Sequence, residues 1–194
     1  MRRLEALEIV DRVFGDHPVV VTLGATSREM ASLGQRPSHL YLLDSMGLAP
    51  AVGAGLALAD QGPIAVVEGD GSLLMGLSVL PTLAYLDPPK LTLIVLDNHQ
   101  HASAAGMPSQ SQRVSIAELC KGAGLKTEVI ADAARLEQAL ERHRDDTAMS
   151  VLVVEIEPGN APDVQLLLED PVRIAGRFAD ALAARGEGGG EDSS

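Results

Sequence analysis

The stretch Val67–Asn98, VEGDGSLLMGLSVLPTLAYLDPPKLTLIVLDN, decides how the rest of the chain is read. It opens at the end of a short apolar run, Ile64–Val67, and passes at once into Gly69-Asp70-Gly71-Ser72. An apolar segment of helix length follows, Leu73–Leu86, then the turn Pro88-Pro89, a second short run Leu91–Leu96, and Asp97-Asn98. Short unbroken runs of Val, Ile and Leu suit strands buried on both faces, as in a parallel sheet. A strand, a helix and a parallel strand form one βαβ unit, so both polar groups fall at C-terminal strand ends, the edge along which open α/β sheets bind ligands. If the two strands are neighbours, Asp70 and Asn98 stand side by side.

An Asp carboxylate and an Asn carbonyl are hard oxygen ligands and suit Mg²⁺, which takes few protein ligands and completes its octahedron with phosphate and water oxygens. Gly69 and Gly71 remove side chains where a diphosphate would approach the backbone. Ser72, read as the start of the next helix, would aim its N–H and the helix dipole at the same anion. A plain reading stands beside this one: Gly-Asp-Gly is common in turns for backbone reasons alone, and Asp-Asn after a strand often caps a helix. The pairing of the two, one βαβ unit apart, favours the ligand site.

The same alternation extends outward. Val19–Leu23 and Val151–Ile156 read as further buried strands, with Leu40–Leu43 and Thr127–Ile130 as shorter ones. Leu4–Phe14, Gly47–Ala59, Ile116–Gly122, Ala133–Arg144 and about Val172–Ala184 read as helices. The expectation is one doubly wound α/β domain over residues 1–185, a mostly parallel central sheet flanked by helices, followed by a disordered acidic Gly-rich tail at 186–194.

Composition narrows the function classes. With 27 Asp and Glu against 15 Lys and Arg, the net charge is −12, which disfavours nucleic acid, whose affinity comes largely from Lys and Arg on phosphates. No apolar run reaches the ~18–20 residues of a membrane span, and the first residues read as an amphipathic helix, not a signal peptide. The lone Cys120 fits a reducing, cytoplasmic setting. Trp is absent and aromatics are 2% of the chain, so the core must be aliphatic.

The spacing of Gly69-Asp70-Gly71, then 26 residues, then Asn98 resembles the thiamine diphosphate-dependent 2-oxo acid decarboxylases, in their diphosphate-binding (PP) domain and most of all their sulfopyruvate and phosphonopyruvate branch. LLDSMGLAPAVGAGLALA, from Leu42 to Ala59, is similar to the same group, and the resemblance covers about Leu7 to Ile156. It implies that Asp70, the Asn98 side chain and the backbone carbonyl of Gln100 bind Mg²⁺. It implies that Thr26, Gly69, Gly71 and Ser72 face the diphosphate of thiamine diphosphate. Ser45 and Met46 would lie against the cofactor, Met46 as the large apolar residue that keeps its two rings bent, and the backbone of Asp44 would meet the aminopyrimidine, although the family usually has Gly there. Other readings of the residues stay open: Met46 as core filler, and Thr26-Ser27 as an N-cap.

The loop His99–Ser109 departs from the family, which usually has an aromatic residue at the position of His101 and polar residues where Ala104, Ala105 and Met107 stand. His101 reads as a cofactor or substrate contact, as an acid–base group, or as a solvated loop histidine. The glutamate that such enzymes place at the pyrimidine N1′ belongs to a second, pyrimidine-binding domain, for which 194 residues leave no room. The resemblance therefore implies a hetero-oligomer with a pyrimidine-domain partner chain, acting on a small anionic 2-oxo acid. A carboligase or synthase subunit, or a non-catalytic Mg²⁺-diphosphate-binding regulatory module, are the other readings.

Overall fold

The computed structural model describes residues 1–59, 62–102 and 104–188. Six strands form one sheet: β1 (Val19–Val21), β2 (His39–Tyr41), β3 (Ile64–Gly69), β4 (Leu91–Asp97), β7 (Thr127–Ile130) and β8 (Ser150–Glu155). Their order is β2-β1-β3-β4-β8-β7, and every neighbouring pair is parallel. A small antiparallel ribbon, β5 (Gln100–His101) with β6 (Met107–Pro108), follows β4.

The two-residue period of a strand divides the aliphatic residues between two cores. Val19 and Val21 of β1, Ala65 and Val67 of β3, and Ile94 and Leu96 of β4 face one layer. That layer holds α1 (Arg3–Phe14), α7 (Ala133–Arg144), Met30 of α2 (Ala25–Ser32) and Ile174 of α8 (Pro171–Gly188). Val20, Ile64, Val66, Leu93 and Val95 face the other, which is covered by α3 (Ala49–Ala59), α4 (Asp70–Met75), α5 (Val79–Leu86) and α6 (Ile116–Gly122). This is the doubly wound fold, with apolar side chains buried on both faces as a parallel sheet requires.

The chain leaves β1 toward β2 on one side and leaves β3 toward β4 on the other. The strand order thus reverses between β1 and β3, and a crevice opens there at the carboxyl ends.

Four local expectations are corrected. Thr26 and Ser27 are not caps: they lie inside α2, whose N-cap is Gly24 at φ 77° with no side-chain cap. The single helix expected over Leu73–Leu86 is two, α4 and α5, interrupted at Gly76. The cause lies far away in sequence: a Cβ on Gly76 would stand 2.4 Å from the carbonyl oxygen of Gly47, so two backbones touch there and the helix turns aside. Ser72 does not begin α4, which starts at Asp70 after the N-cap Gly69. Finally, α8 runs to Gly188, so the backbone is helical into the stretch read as a tail; residues 189–194 of that tail lie outside the described residues.

At the sheet edge, His39, the first residue of β2, is fully buried on the side of α1. Its Nε2 lies 3.7 Å from Asp11 Oδ1, but Asp11 is already held by the Nε and Nη2 of Arg36, at 2.6 and 2.8 Å. Its Nδ1 is 3.4 Å from the Tyr41 hydroxyl. Burial pushes the imidazole down to about 4, with Arg36 acting in the same direction and Asp11 against it. The unfolded chain therefore takes up a proton below about pH 6.5 that the folded chain refuses until about pH 4. Stability is expected to fall through that window as pH drops, by about 3 kcal/mol at most, and His39→Gln should flatten the slope. Denaturant melts at a series of pH values check this; an equally steep slope in the variant would assign the effect to other groups.

Candidate functional site

The crevice between β1 and β3 is lined by Thr22, Gly24 and Thr26 after β1, by Gly69–Ser72 after β3, and by Asn98, Gln100, His101 and Ala102 after β4. Met46 and Arg3 close its sides. The parallel register matches Gly69 with Leu96, so Asp70 and Asn98 emerge from adjacent strand ends, one and two residues past the pair.

Asp70 is the first residue of α4 and is 2% exposed. Its Oδ2 accepts hydrogen bonds from the Ser109 hydroxyl and, at 2.9 Å, from the Ser111 hydroxyl. Both serines follow the β5–β6 ribbon, which folds back across the strand ends. The carboxylate is thus fixed through one oxygen. Ser111 Oγ also lies 2.8 Å from Asp97 Oδ1 and 2.8 Å from His99 Nδ1. Burial holds the Asp97 carboxyl above its ordinary range; the Ser111 hydroxyl opposes that shift, and the charge on Asp70 adds to it.

His99 takes a left-handed backbone, φ 59°, uncommon for a side chain of its size. This reversal returns Gln100 to the crevice and lets the Gln100 N–H donate to Asn98 Oδ1 at 3.0 Å. A carbonyl oxygen has two lone pairs, so Asn98 keeps one. Among the described residues no group of three or more His, Cys, Asp or Glu is arranged to hold a metal. A cation here would take one carboxylate plus amide and main-chain oxygens, a sparse hard-oxygen set of the kind Mg²⁺ completes with phosphate and water.

On the β3 side, Ser72 turns its hydroxyl away from a simple helix-cap role. Its Oγ accepts the Gly47 N–H at 2.9 Å and lies 3.3 Å from Thr22 Oγ1. Glu68, fully buried beneath the turn, accepts the Gly69 N–H at 2.9 Å. Burial raises its carboxyl, while the hydroxyls of Thr22 and Ser72 and the N–H groups of Gly69 and Ala49 pull it down. Ser27, from within α2, donates to the carbonyl of Thr22 and, at 3.3 Å, to that of Leu42, tying the ends of β1 and β2 together.

Gly71 has a specific reason to be glycine. A Cβ there would stand 2.2 Å from Cε1 and 2.4 Å from Nδ1 of His101, so the imidazole lies directly over the turn. Of the residues expected at the site, Thr26, Met46, Gly69, Asp70, Gly71, Ser72, Asn98, Gln100 and His101 converge on the crevice, while Asp44 and Ser45 do not line it. Asp44 is exposed on the bend after β2. Ser103, in the loop after His101, lies outside the described residues. Arg3, Thr22 and Ser111 are additions. The serine is foreshadowed only by its spacing from Ser109; the arginine is not foreshadowed at all, because its partners are distant in sequence.

The bridge at Ser111 is testable on its own. Ser111→Ala removes the one hydroxyl proton that stands between two buried carboxylates and should cost about 1–3 kcal/mol. Urea unfolding with an unchanged slope and a lowered midpoint is the expected result; an unchanged midpoint would show that the Ser109 hydroxyl suffices for Asp70 and the His99 N–H for Asp97.

Comparison with known proteins follows the same lines. Residues 22–154 match the family model described as thiamine pyrophosphate enzyme, C-terminal TPP binding domain. The chain is 35% identical over 178 residues to the sulfopyruvate decarboxylase subunit beta of Methanothermobacter thermautotrophicus, covering 92% of this chain and 94% of that one. It is 33% identical to the phosphonopyruvate decarboxylase of Streptomyces viridochromogenes, covering 91% of this chain but 45% of that protein. Among solved structures, benzoylformate decarboxylase from Polynucleobacter necessarius superposes with a TM-score of 0.73 at 18% identity, over 84% of this chain and 34% of that one.

Proposed function

The chain belongs to the thiamine pyrophosphate enzymes, as a C-terminal TPP binding domain, and from that membership we propose that it is the Mg²⁺- and diphosphate-binding subunit of a heteromeric decarboxylase of small anionic 2-oxo acids, of the sulfopyruvate or phosphonopyruvate type. The observation that carries the proposal is the adjacency of Asp70 and Asn98 at the strand-order reversal, in a chain of nearly the same length as a relative named as a β subunit.

In this reading Asp70, the Asn98 side chain and the Gln100 carbonyl hold Mg²⁺. Thr26, Gly69, Gly71 and Ser72 receive the diphosphate. Met46, on the crevice wall, supports the two rings. Asp44 and Ser45 are the weakest members of the set, because neither lines the crevice. The closeness of the His101 ring to Gly71 favours a diphosphate contact over proton transfer at the reacting end. When bound, thiamine diphosphate supplies the electron sink for the bond that breaks as CO₂ leaves. The chain's own residues position that group and exclude water. The glutamate for the pyrimidine comes from a pyrimidine-domain partner subunit, and the relative named as one subunit of a sulfopyruvate decarboxylase supports such a division. Among the described residues no helix is long and apolar enough to cross a membrane; a cytoplasmic setting fits the buried, unpaired Cys120.

Two outcomes are expected. Thiamine diphosphate with Mg²⁺, at about a hundred times its Kd, should stabilise the assembled complex by about 2.7 kcal/mol, and Asp70→Ala should abolish the corresponding rise in melting temperature. A retained rise would remove Asp70 from the metal. The purified chain alone, with cofactor, Mg²⁺ and a 2-oxo acid in excess, should show negligible CO₂ release, restored on adding the partner subunit. Robust turnover by the single chain, with a co-purifying partner excluded by mass spectrometry, would refute the division of labour.

A further inference from the structure

Arg3 lies at the start of α1, and its side chain is 5% exposed. Its Nη1 donates to Glu29 Oε1 at 2.8 Å and to Asn160 Oδ1 at 3.0 Å. Glu29, on α2, is 2% exposed, and the same Oε1 accepts the Ala161 N–H at 3.0 Å. Three segments therefore meet at one nitrogen: the first turn of α1, the middle of α2 and the loop after β8.

A buried arginine–carboxylate pair is frequently two-pronged, with two N–H groups on two oxygens. This one is not. Glu29 Oε2 is buried without a hydrogen-bond partner, and the bonds to Glu29 and Asn160 use Nη1 alone. The guanidinium carries five N–H groups, so those on Nε and Nη2 are left out of the cluster. Arg3 also lines the crevice beside Gly24, Ala25 and Thr26, the first turn of α2, and is the only Lys or Arg among the lining residues described.

Charge balance shows why a cation matters there. A diphosphate together with the Asp70 carboxylate carries more negative charge than one Mg²⁺ neutralises, and the whole chain is acidic at −12. The N-terminal end of α2 contributes only a partial positive charge. The Arg3 charge is shared with Glu29 at 2.8 Å, so it answers only part of that remainder; its clamped, planar donors match phosphate oxygens and little side-chain freedom is lost on binding.

We propose that Arg3 is a further cofactor-binding residue, donating from the N–H groups that Glu29 and Asn160 leave free to the terminal phosphate of the diphosphate. This rests on the reading of the crevice as the Mg²⁺-diphosphate site. The test is calorimetric titration of thiamine diphosphate, at fixed Mg²⁺, into the assembled complex carrying wild-type chain, Glu29→Gln or the double variant Arg3→Gln/Glu29→Gln. The double variant avoids stranding a buried carboxylate. Its Kd should rise on the order of tenfold to a hundredfold, while Glu29→Gln alone stays within about threefold of wild type. Turnover at saturating cofactor should be unchanged in Glu29→Gln. A double variant that binds like wild type would overturn the contact. So would a Glu29→Gln loss as large as that of the double variant, since Arg3 would then act only through Glu29. Absence of binding by wild type would instead refute the reading of the crevice itself.

Discussion

The parallel pairing of β3 with β4, immediately beside the point where the strand order reverses, is the constraint on which the site depends. A parallel register advances both strands in the same direction, so both end on one edge, and the match of Gly69 with Leu96 sets the ends of the two polar motifs level. A slip of one residue would turn every side chain of β4 to the opposite face, exchanging its contributions to the two cores. The aliphatic residues that make such a slip costly are thus also what hold Asp70 beside Asn98. Stability and site geometry have one origin here, the interdigitation of Val, Ile and Leu on both sides of the sheet.

Around that fixed edge most of the polar groups are paired with one another, Glu68 Oε2 excepted. Ser111 joins Asp70 to Asp97, and Ser72 joins the β3 turn to Gly47 and Thr22. Glu68 is held below, its carboxyl raised by burial. Buried polar networks of this kind gain from a low local dielectric only when their members are paired. The segments that complete the pairing come from far along the chain: the ribbon after β4 and the bend before α3. The left-handed His99 belongs to the same arrangement, a local cost that brings Gln100 back over the strand ends.

The parts that were legible in the sequence are those with a local cause. β3, β4 and β8 announce themselves as unbroken aliphatic runs because a strand buried on both faces has no polar side. The paired polar motifs at Asp70 and Asn98 are legible because they are fixed to those runs by one or two residues. α2 was not legible: Ala25–Ser32 is polar on average, and it starts at a glycine with no side-chain cap, so neither hydrophobic period nor capping signal marks it. The break at Gly76 was not legible either, because its cause is a backbone contact with Gly47 across the fold. Arg3 is the extreme case. Its partners are 26 and 157 residues away, and nothing near it distinguishes it from Arg2.

The scarcity of aromatic side chains, which left the core to aliphatic packing, also fixes how the molecule meets light. There is no Trp and there are two Tyr. Tyr41 is buried beside His39, its hydroxyl pushed up to about 12 by that burial, and Tyr85 stands 88% exposed on the outside of α5. The chain is therefore nearly dark to ultraviolet excitation selective for indole. In any assembly it joins, tryptophan emission originates wholly in the other component, so quenching on adding a ligand reports from across the interface. This chain can be varied residue by residue without adding or removing an indole.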